Sequence, residues 1–335
     1  IVFVHHTGCI GSVSIPPQLQ SVYSKPAFEI LGIGSSKITY GMDAVLSQLA
    51  IGGMANIQKI RGWQRPNLFC TTEDLFTQTI VVPYLIPMLQ NAGAIVFTPR
   101  ERDWQKEEII VDNDQRLSSG SLYTETNNKY AWETAPTKGF AQHDGNYADG
   151  ENPFEQGSVR MARTTSQKKR SQISYQPYFK EAGKYAVYVS YQTLVNSVDD
   201  ARYVVCHKGE ETVFHVNQQM GGGTWVYLGT FDFDEGNNER NCVVIDNVSE
   251  HDGIVSADGV RFGGGMGNIA REGEVSLLPR CFEGSRYYAQ WAGMPYAVYS
   301  TKDGQDDYGD DINVRSCMTN FLAGGSVYLP DSAGR

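Results

Sequence analysis

Between Lys184 and Phe262 the hydrophobic pattern repeats every two residues. Tyr185, Val187, Val189 and Tyr191 alternate with Ala186, Tyr188 and Ser190, as in a strand with two differently placed faces. Further strands are predicted over 201–207, 212–217, 224–233, 242–246 and 254–262. The turn-forming runs Lys208-Gly209, Gly221-Gly222-Gly223, 234–238 and Asp252-Gly253 separate them. Short strands at this spacing predict an antiparallel β-sandwich rather than crossover units.

On both sides of this block the period becomes helical. Thr71 and Asp74 form a capping-box-like start, and Leu75, Val82, Ile86 and Leu89 recur at helical spacing. Pro83 and Pro87 are expected to kink or break that helix. Gly93 is placed as its C-cap, and 94–98 reads as a buried strand. Beyond Gly263, the residues Val314, Cys317, Met318, Phe321 and Leu322 share one face of a helix. Asp310 or Asp311 would cap its start and Gly324-Gly325 its end, with a strand at 326–329. The expected fold class is therefore α/β with an inserted antiparallel sandwich. The boundaries drawn are 1–114 for the first α/β part, 115–265 for the sandwich and 266–335 for the second α/β part. The polar stretch 112–176 resists assignment and is expected to hold the connection into the sandwich and its first strands.

Composition narrows the partners. The 335 residues carry 28 Lys and Arg against 38 Asp and Glu, a formal charge of −10, which is the wrong balance for a phosphate backbone and argues against nucleic acid. No apolar run approaches the ~18 residues that suggest a membrane span. The chain starts at Ile1, and its last residues follow directly on a strand-like run, so both ends read as cut from a larger protein. The six cysteines, Cys9, Cys70, Cys206, Cys242, Cys281 and Cys317, include no C-x-x-C pair. They leave the redox compartment open.

Several motifs are weaker than they look. Gly265-Met266-Gly267-Asn268-Ile269-Ala270 matches a dinucleotide pattern, but no apolar helix follows to present its N-terminus to a pyrophosphate. The acidic run Asp303, Asp306, Asp307, Asp310 and Asp311 lacks the alternating spacing of a calcium loop and is read as helix capping plus a solvated loop. His207 and His215 fall on adjacent predicted strands without a third ligand. His5 and His6 end a strand-like run, where α/β zinc sites often gather ligands. There is no G-x-S-x-G nucleophile elbow.

Two stretches carry a family resemblance. Glu73-Asp74-Leu75, the helix to Gly93 and the run Ala94–Thr98-Pro99-Arg100-Glu101-Arg102-Asp103 resemble the zinc-dependent N-acetylmuramoyl-L-alanine amidase family. Pro99 interrupts that family's Thr-Arg-x-x-Asp signature. The segments Asp200–His207, Val216–Gln219, Gly222–Trp225, Leu228–Phe233 and Ala257–Phe262 are similar to the golvesin/xanthan-lyase-type carbohydrate-binding-like domain. Proteins combining the two modules are similar over 62–329, whereas residues 1–61 match poorly.

The first resemblance implies a zinc cofactor with Glu73 as a ligand and His5 or His6, with His6 preferred, as another. The distal His and the catalytic carboxylate find no counterpart, since no His follows His251. The resemblance thus implies a zinc-dependent peptidoglycan amide hydrolase of the periplasm or cell exterior, inactive over this length of chain. The second resemblance implies a glycan-binding sandwich with peptidoglycan or another polysaccharide as partner. Trp225, Tyr227 and Tyr188 are its candidate sugar-stacking rings, although Trp225 and Tyr227 share an expected strand face with Phe231 and Phe233 and so compete with core packing. The alternative function is a non-catalytic carbohydrate-binding protein of the cell envelope. A polysaccharide lyase is a further reading for which no base stands out.

Overall fold

A computed structural model describes residues 2–3, 77–92, 96–114 and 120–323. The chain divides into two compact units, one of Ile1–His5 with Ala94–Arg335 and the other of His6–Gly93. In the latter, a wide helical stretch over Thr77–Leu85 contains Pro83 and passes into a regular helix over Ile86–Asn91. Pro83 has no N–H for the ladder, so the change of helix type falls between the two prolines, where a break was expected. Glu73, His5, His6 and the 326–329 strand lie outside the described residues.

The first unit is mostly antiparallel sheet. Its five-stranded sheet runs β10 (Glu210–Val216), β9 (Ala201–His207), β12 (Cys242–Asp246), β7 (Gln172–Gln176), β4 (Leu122–Thr126). Its four-stranded sheet runs β11 (Val226–Phe233), β8 (Gly183–Val189), β14 (Val260–Phe262), β3 (Ile109–Val111). A three-stranded sheet joins β13 (Ile254–Ala257), β6 (Gly157–Arg163) and β5 (Glu133–Gly139). The two larger sheets meet through apolar inner faces. Phe231 lies 4.8 Å from the His207 ring and 6.1 Å from Phe214, while Phe179, Phe233 and Phe262 cluster at 4.7–5.6 Å. Val187, Val205, Val243 and Ile245 are fully buried, and such apolar burial is the main favourable term in folding.

The predicted strand at 254–262 is two strands in different sheets. β13 pairs with β6, and β14 pairs with β8 and β3. The chain changes sheets at Asp258, whose buried carboxylate accepts from Ser190 Oγ at 2.6 Å and from the Phe140 amide at 3.0 Å. The stretch 112–176 holds four strands, β4 to β7, whose alternation is masked by exposed charged and polar positions.

A second departure lies in β11. Its register against β8 shifts between Tyr227 and Gly229, a bulge that reverses side-chain parity. Tyr227 therefore stands opposite Tyr188, while Phe231 stands opposite Tyr185. Trp225 and Tyr227 do not share a face with Phe231 and Phe233. Phe231 and Phe233 point into the sandwich, and Trp225 and Tyr227 point to the outer face of the four-stranded sheet.

That outer face is covered by the flanking segments of the same unit. β1 (Val2–Phe3) pairs in parallel with β2 (Val96–Phe97), and 98–108 then runs onto the sandwich. Beyond β14 come the helices Ser285–Trp291, Tyr296–Tyr299 and Asp307–Ala323. The last of these buries Val314, Met318, Phe321 and Leu322 as its periodicity predicts. It starts earlier than expected, however, because Asp306 is the cap, accepting from the Gly309 and Asp310 amides. Among the described residues of this unit, the α/β character lies in the β1–β2 pair and these helices.

Candidate functional site

Two polar regions flank the aromatic cluster of Trp225, Phe140, Phe154 and Trp291, whose rings lie 4.8–6.3 Å apart. One is a buried ionic seam between the outer sheet face and its covering segments. At its centre the fully buried Arg261 donates to Glu101 Oε2 at 2.6 Å, to Glu108 Oε1 at 3.5 Å and to the Gly263 carbonyl at 3.1 Å. Tyr188 donates to the other Glu101 oxygen. Burial opposes the Arg261 charge, but Glu101, Tyr188 and Glu108 more than offset it, and its pKa is raised. Arg280 extends the seam to Glu108 at 3.0 Å and lies over the Trp291 ring at 4.1 Å. Burial nevertheless lifts the Glu108 carboxyl above its usual range.

Further along, Asp307 takes Arg271 at 2.6 Å, Arg286 at 3.2 Å and the Tyr287 hydroxyl at 2.6 Å. Asp310 accepts from the Lys302 amide at 2.7 Å. Two members of the acidic run read as solvated are therefore buried and paired, because arginines from the preceding segment fold back onto them. The residues resembling an amidase signature also belong here. Arg100 donates to the Glu283 carbonyl at 2.7 Å, and Asp103 accepts from the Ala186 amide at 2.6 Å. With Glu101 and Arg261 shut off from water, this seam is a junction and not a place a substrate can reach.

The expected sugar-stacking rings lie against this junction. Arg261 sits 3.8 Å from the Tyr188 ring centroid and 5.4 Å from that of Trp225, and Arg102 sits 4.3 Å from that of Tyr227. Trp225 and Tyr188 are only 2% and 1% exposed, so neither offers a ring face to a sugar. Tyr227 is half-buried and hydrogen-bonded to Thr230 at 2.8 Å. The bulge at Tyr227/Gly229, invisible to an alternation count, turned Trp225 and Tyr227 toward the covering segments, beside Tyr188 of β8.

The second region is open. A cleft of about 350 Å³ is lined by Thr137, Lys138, Asn152, Phe154, Gln192 and Gly223 together with Glu155. β5 supplies Thr137 and Lys138 where its register against β6 shifts between Thr134 and Lys138. Pro136 lies within that irregularity and has no N–H for the ladder, so the strand bulges and aims its next residues outward. Asn152 caps the short turn Pro153–Glu155 by accepting from the Phe154 amide at 2.9 Å, and donates to the Gly293 carbonyl at 3.2 Å. The turn holds Phe154 as an apolar floor. The third wall needs the glycines: Gly223 has φ +67°, and a Cβ on Gly222 would stand 2.2 Å from the Thr193 amide nitrogen. Lys138 and Glu155 are exposed, and Thr137, Asn152 and Gln192 are half-buried. Sequence reasoning missed this cleft, for which the only signals were Pro136 inside a strand and the Gly221–Gly223 run.

The zinc assignment falls on Glu73 and His6, outside the described residues. Among the described residues no group of three or more His, Cys, Asp or Glu is placed to hold a metal ion. No described helix is long and apolar enough to cross a membrane. The Gly265–Ala270 motif makes isolated pairings, Met266 with Pro279 and Ile269 with Tyr147, and no helix follows it directly.

Comparison with known proteins places the sandwich. Residues 133–264 match the family model of the Golvesin C-terminal domain. The chain is 29% identical over 154 residues to a xanthan lyase of Bacillus sp. (strain GL1), an alignment covering 46% of this chain and 14% of that enzyme. Among solved structures it is similar to Paenibacillus xanthan lyase, with 22% identity and a TM-score of 0.37 over 47% of this chain and 13% of that one. It is also similar to the C-terminal CBM6 of LamC, a marine laminarinase from Zobellia galactanivorans. That match has 15% identity and a TM-score of 0.28 over 47% of this chain and 99% of that one. The chain thus spans a small part of the xanthan lyases it matches, and residues 133–264 form a domain of golvesin/xanthan-lyase type.

Proposed function

We propose that the sandwich is a non-catalytic carbohydrate-binding module that holds a polysaccharide in the cleft between Lys138, Asn152, Gln192 and Gly223. The observation that carries this reading is the cleft itself. Amide, hydroxyl and charged groups converge around the Phe154 floor, the mixture of directed polar groups and apolar surface that sugar rings require. The sequence likeness supports it, since the aligned relative is named for action on the polysaccharide xanthan. Such a module raises the local concentration of its glycan for any linked catalytic domain and works outside the cytoplasm, at the cell envelope or beyond. The finer reading, with peptidoglycan as the glycan and a zinc-dependent amide hydrolase as the whole protein, rests on sequence resemblance through Glu73 and His6. No catalytic step is assigned to it.

The test is affinity electrophoresis and calorimetry of the whole chain with xanthan, laminarin and soluble peptidoglycan strands. Retardation by at least one of them is expected. The double change Lys138→Ala with Gln192→Ala should weaken binding by about tenfold or more, as loss of one or two directed hydrogen bonds implies. Undiminished binding by that folded variant would move the site elsewhere, and binding confined to peptidoglycan would favour the finer reading.

A further inference from the structure

Cys206 and Cys242 were scattered positions in the sequence, but the fold brings them face to face. They are register partners on β9 and β12, adjacent strands of the five-stranded sheet. Directly opposed residues of an antiparallel pair have Cα atoms ~4.5 or ~5.5 Å apart, depending on the hydrogen-bond pattern. Both separations fall within the ~4.4–6.8 Å window that a disulfide spans. Opposed side chains also share a face, here the outward one. Cys206 is half-buried, Cys242 is buried, and both are free thiols. On the next strand, Val213, two residues from the Cys206 partner Glu211, is 45% exposed.

The two thiols are hydrogen-bonded to each other, an interaction that raises the Cys206 pKa and lowers that of Cys242. The charged neighbours are Glu211, opposite Cys206 on β10, and Glu239, whose carbonyl lies 3.7 Å from Cys242 Sγ. Both carboxylates disfavour a thiolate, which slows exchange at the pair. The Ser174 hydroxyl, from β7, favours the Cys242 thiolate.

We infer that Cys206 and Cys242 form a redox-active pair that closes a cross-strand disulfide, pinning β9 to β12 on the solvent-facing side of the sandwich. The oxidant is a low-molecular-weight disulfide. The Cys242 thiolate attacks it, forming a mixed disulfide and expelling one thiolate. The Cys206 thiolate then displaces the second thiol, so the pair loses two electrons and two protons and one disulfide is reduced to two thiols. The bond closes a loop between positions 206 and 242, removing freedom mainly from the unfolded chain. This inference is independent of the glycan-binding reading.

The experiment treats the whole chain with glutathione disulfide, alkylates remaining thiols and digests with trypsin. Cleavage at Arg202, Lys208, Arg240 and Arg261 places each cysteine on its own peptide, 203–208 and 241–261. A single linked species of the two is expected, absent after dithiothreitol treatment and absent from Cys206→Ser. The oxidised protein should melt about 4 °C or more above the reduced protein, and Cys206→Ser should show no such shift. Recovery of the two peptides separately alkylated, from protein with an unchanged circular dichroism spectrum, would overturn the inference. So would a linked species that leaves the melting temperature unmoved or lowered.

Discussion

The seam and the cleft lie on either side of one aromatic cluster and treat polar groups in opposite ways. In the seam, Arg261, Glu101, Arg286 and Asp310 have no exposed surface, and Arg261 pairs with Glu101, Arg286 with Asp149 and Asp307, and Asp310 with Arg271. In the cleft, Lys138 and Glu155 stand in water and Thr137, Asn152 and Gln192 are half-covered. Taking ions out of water costs several kcal/mol each, and good pairing returns that cost without a large surplus. The seam therefore adds little net stability, but it tolerates only one docking of 98–108 and 264–323 on the sheet, because any other leaves a charge unpaired. The cleft pays no such desolvation cost, and its groups remain free to exchange water for a ligand. Charged residues near the same sheet thus serve register in one place and recognition in the other.

The comparison is broken most directly at Arg261. Arg261→Ala removes the buried cation that bridges Glu101 and Glu108 and should destabilise the first unit by about 3–5 kcal/mol, read as a lowered urea midpoint. A loss below about 1 kcal/mol would mean that water reaches the seam and that the contrast with the cleft is false.

A smaller effect is expected at the sheet switch, where Asp112 and Asp258 meet. Asp112 Oδ2 and Asp258 Oδ1 are buried with no hydrogen-bond partner among the described residues. Burial pushes the Asp258 carboxyl from 3.8 up to about 7, and burial with the neighbouring Asp258 charge holds Asp112 well above its usual range. Asp114 and Tyr175 also face this pair. The folded protein then binds more protons than the unfolded chain between the two Asp258 values. The stability from this pair is complete below the lower value and is lost as pH rises through the higher one, with a slope of up to ~1.4 kcal/mol per pH unit per proton. Asp112→Asn should flatten that fall in denaturation series at pH 5, 6, 7 and 8. An unchanged slope would place the titration elsewhere.

The smallest change sharpens the contrast from the other side. Lys138→Ala and Gln192→Ala, made together, should alter stability by no more than about 0.5 kcal/mol, as for other surface substitutions, while weakening glycan retention. A destabilisation above about 2 kcal/mol would make the cleft part of the fold's support.

Much of the sandwich was legible. The strands at 201–207 and 242–246 fall as the alternation predicts, because each has one face in the core and one outside. The helical face of Val314, Met318, Phe321 and Leu322 was readable for the same reason. The strands of 112–176 were not, since β4 and β5 leave most of their residues exposed or half-exposed and carry little apolar alternation. The candidate site was largely illegible. Aromatic residues drew attention to Trp225, Tyr188 and Tyr227, while the cleft is made of ordinary polar side chains gathered from β5, the 152–155 turn and the loops after β8 and β10.

By itself the sequence determined the antiparallel class of the central block, the placement of most strands between 184 and 262 and the character of the last helix. These follow from local periodicity, which the backbone geometry of strand and helix imposes on any buried face. Only the tertiary structure decided that β11 bulges, that the chain changes sheets at Asp258, that Cys206 faces Cys242 and that Arg261 meets Glu101 across 160 residues. A bulge of one residue or an ion pair of that separation leaves no period in the chain. Both are settled by which groups must find a partner once water is excluded.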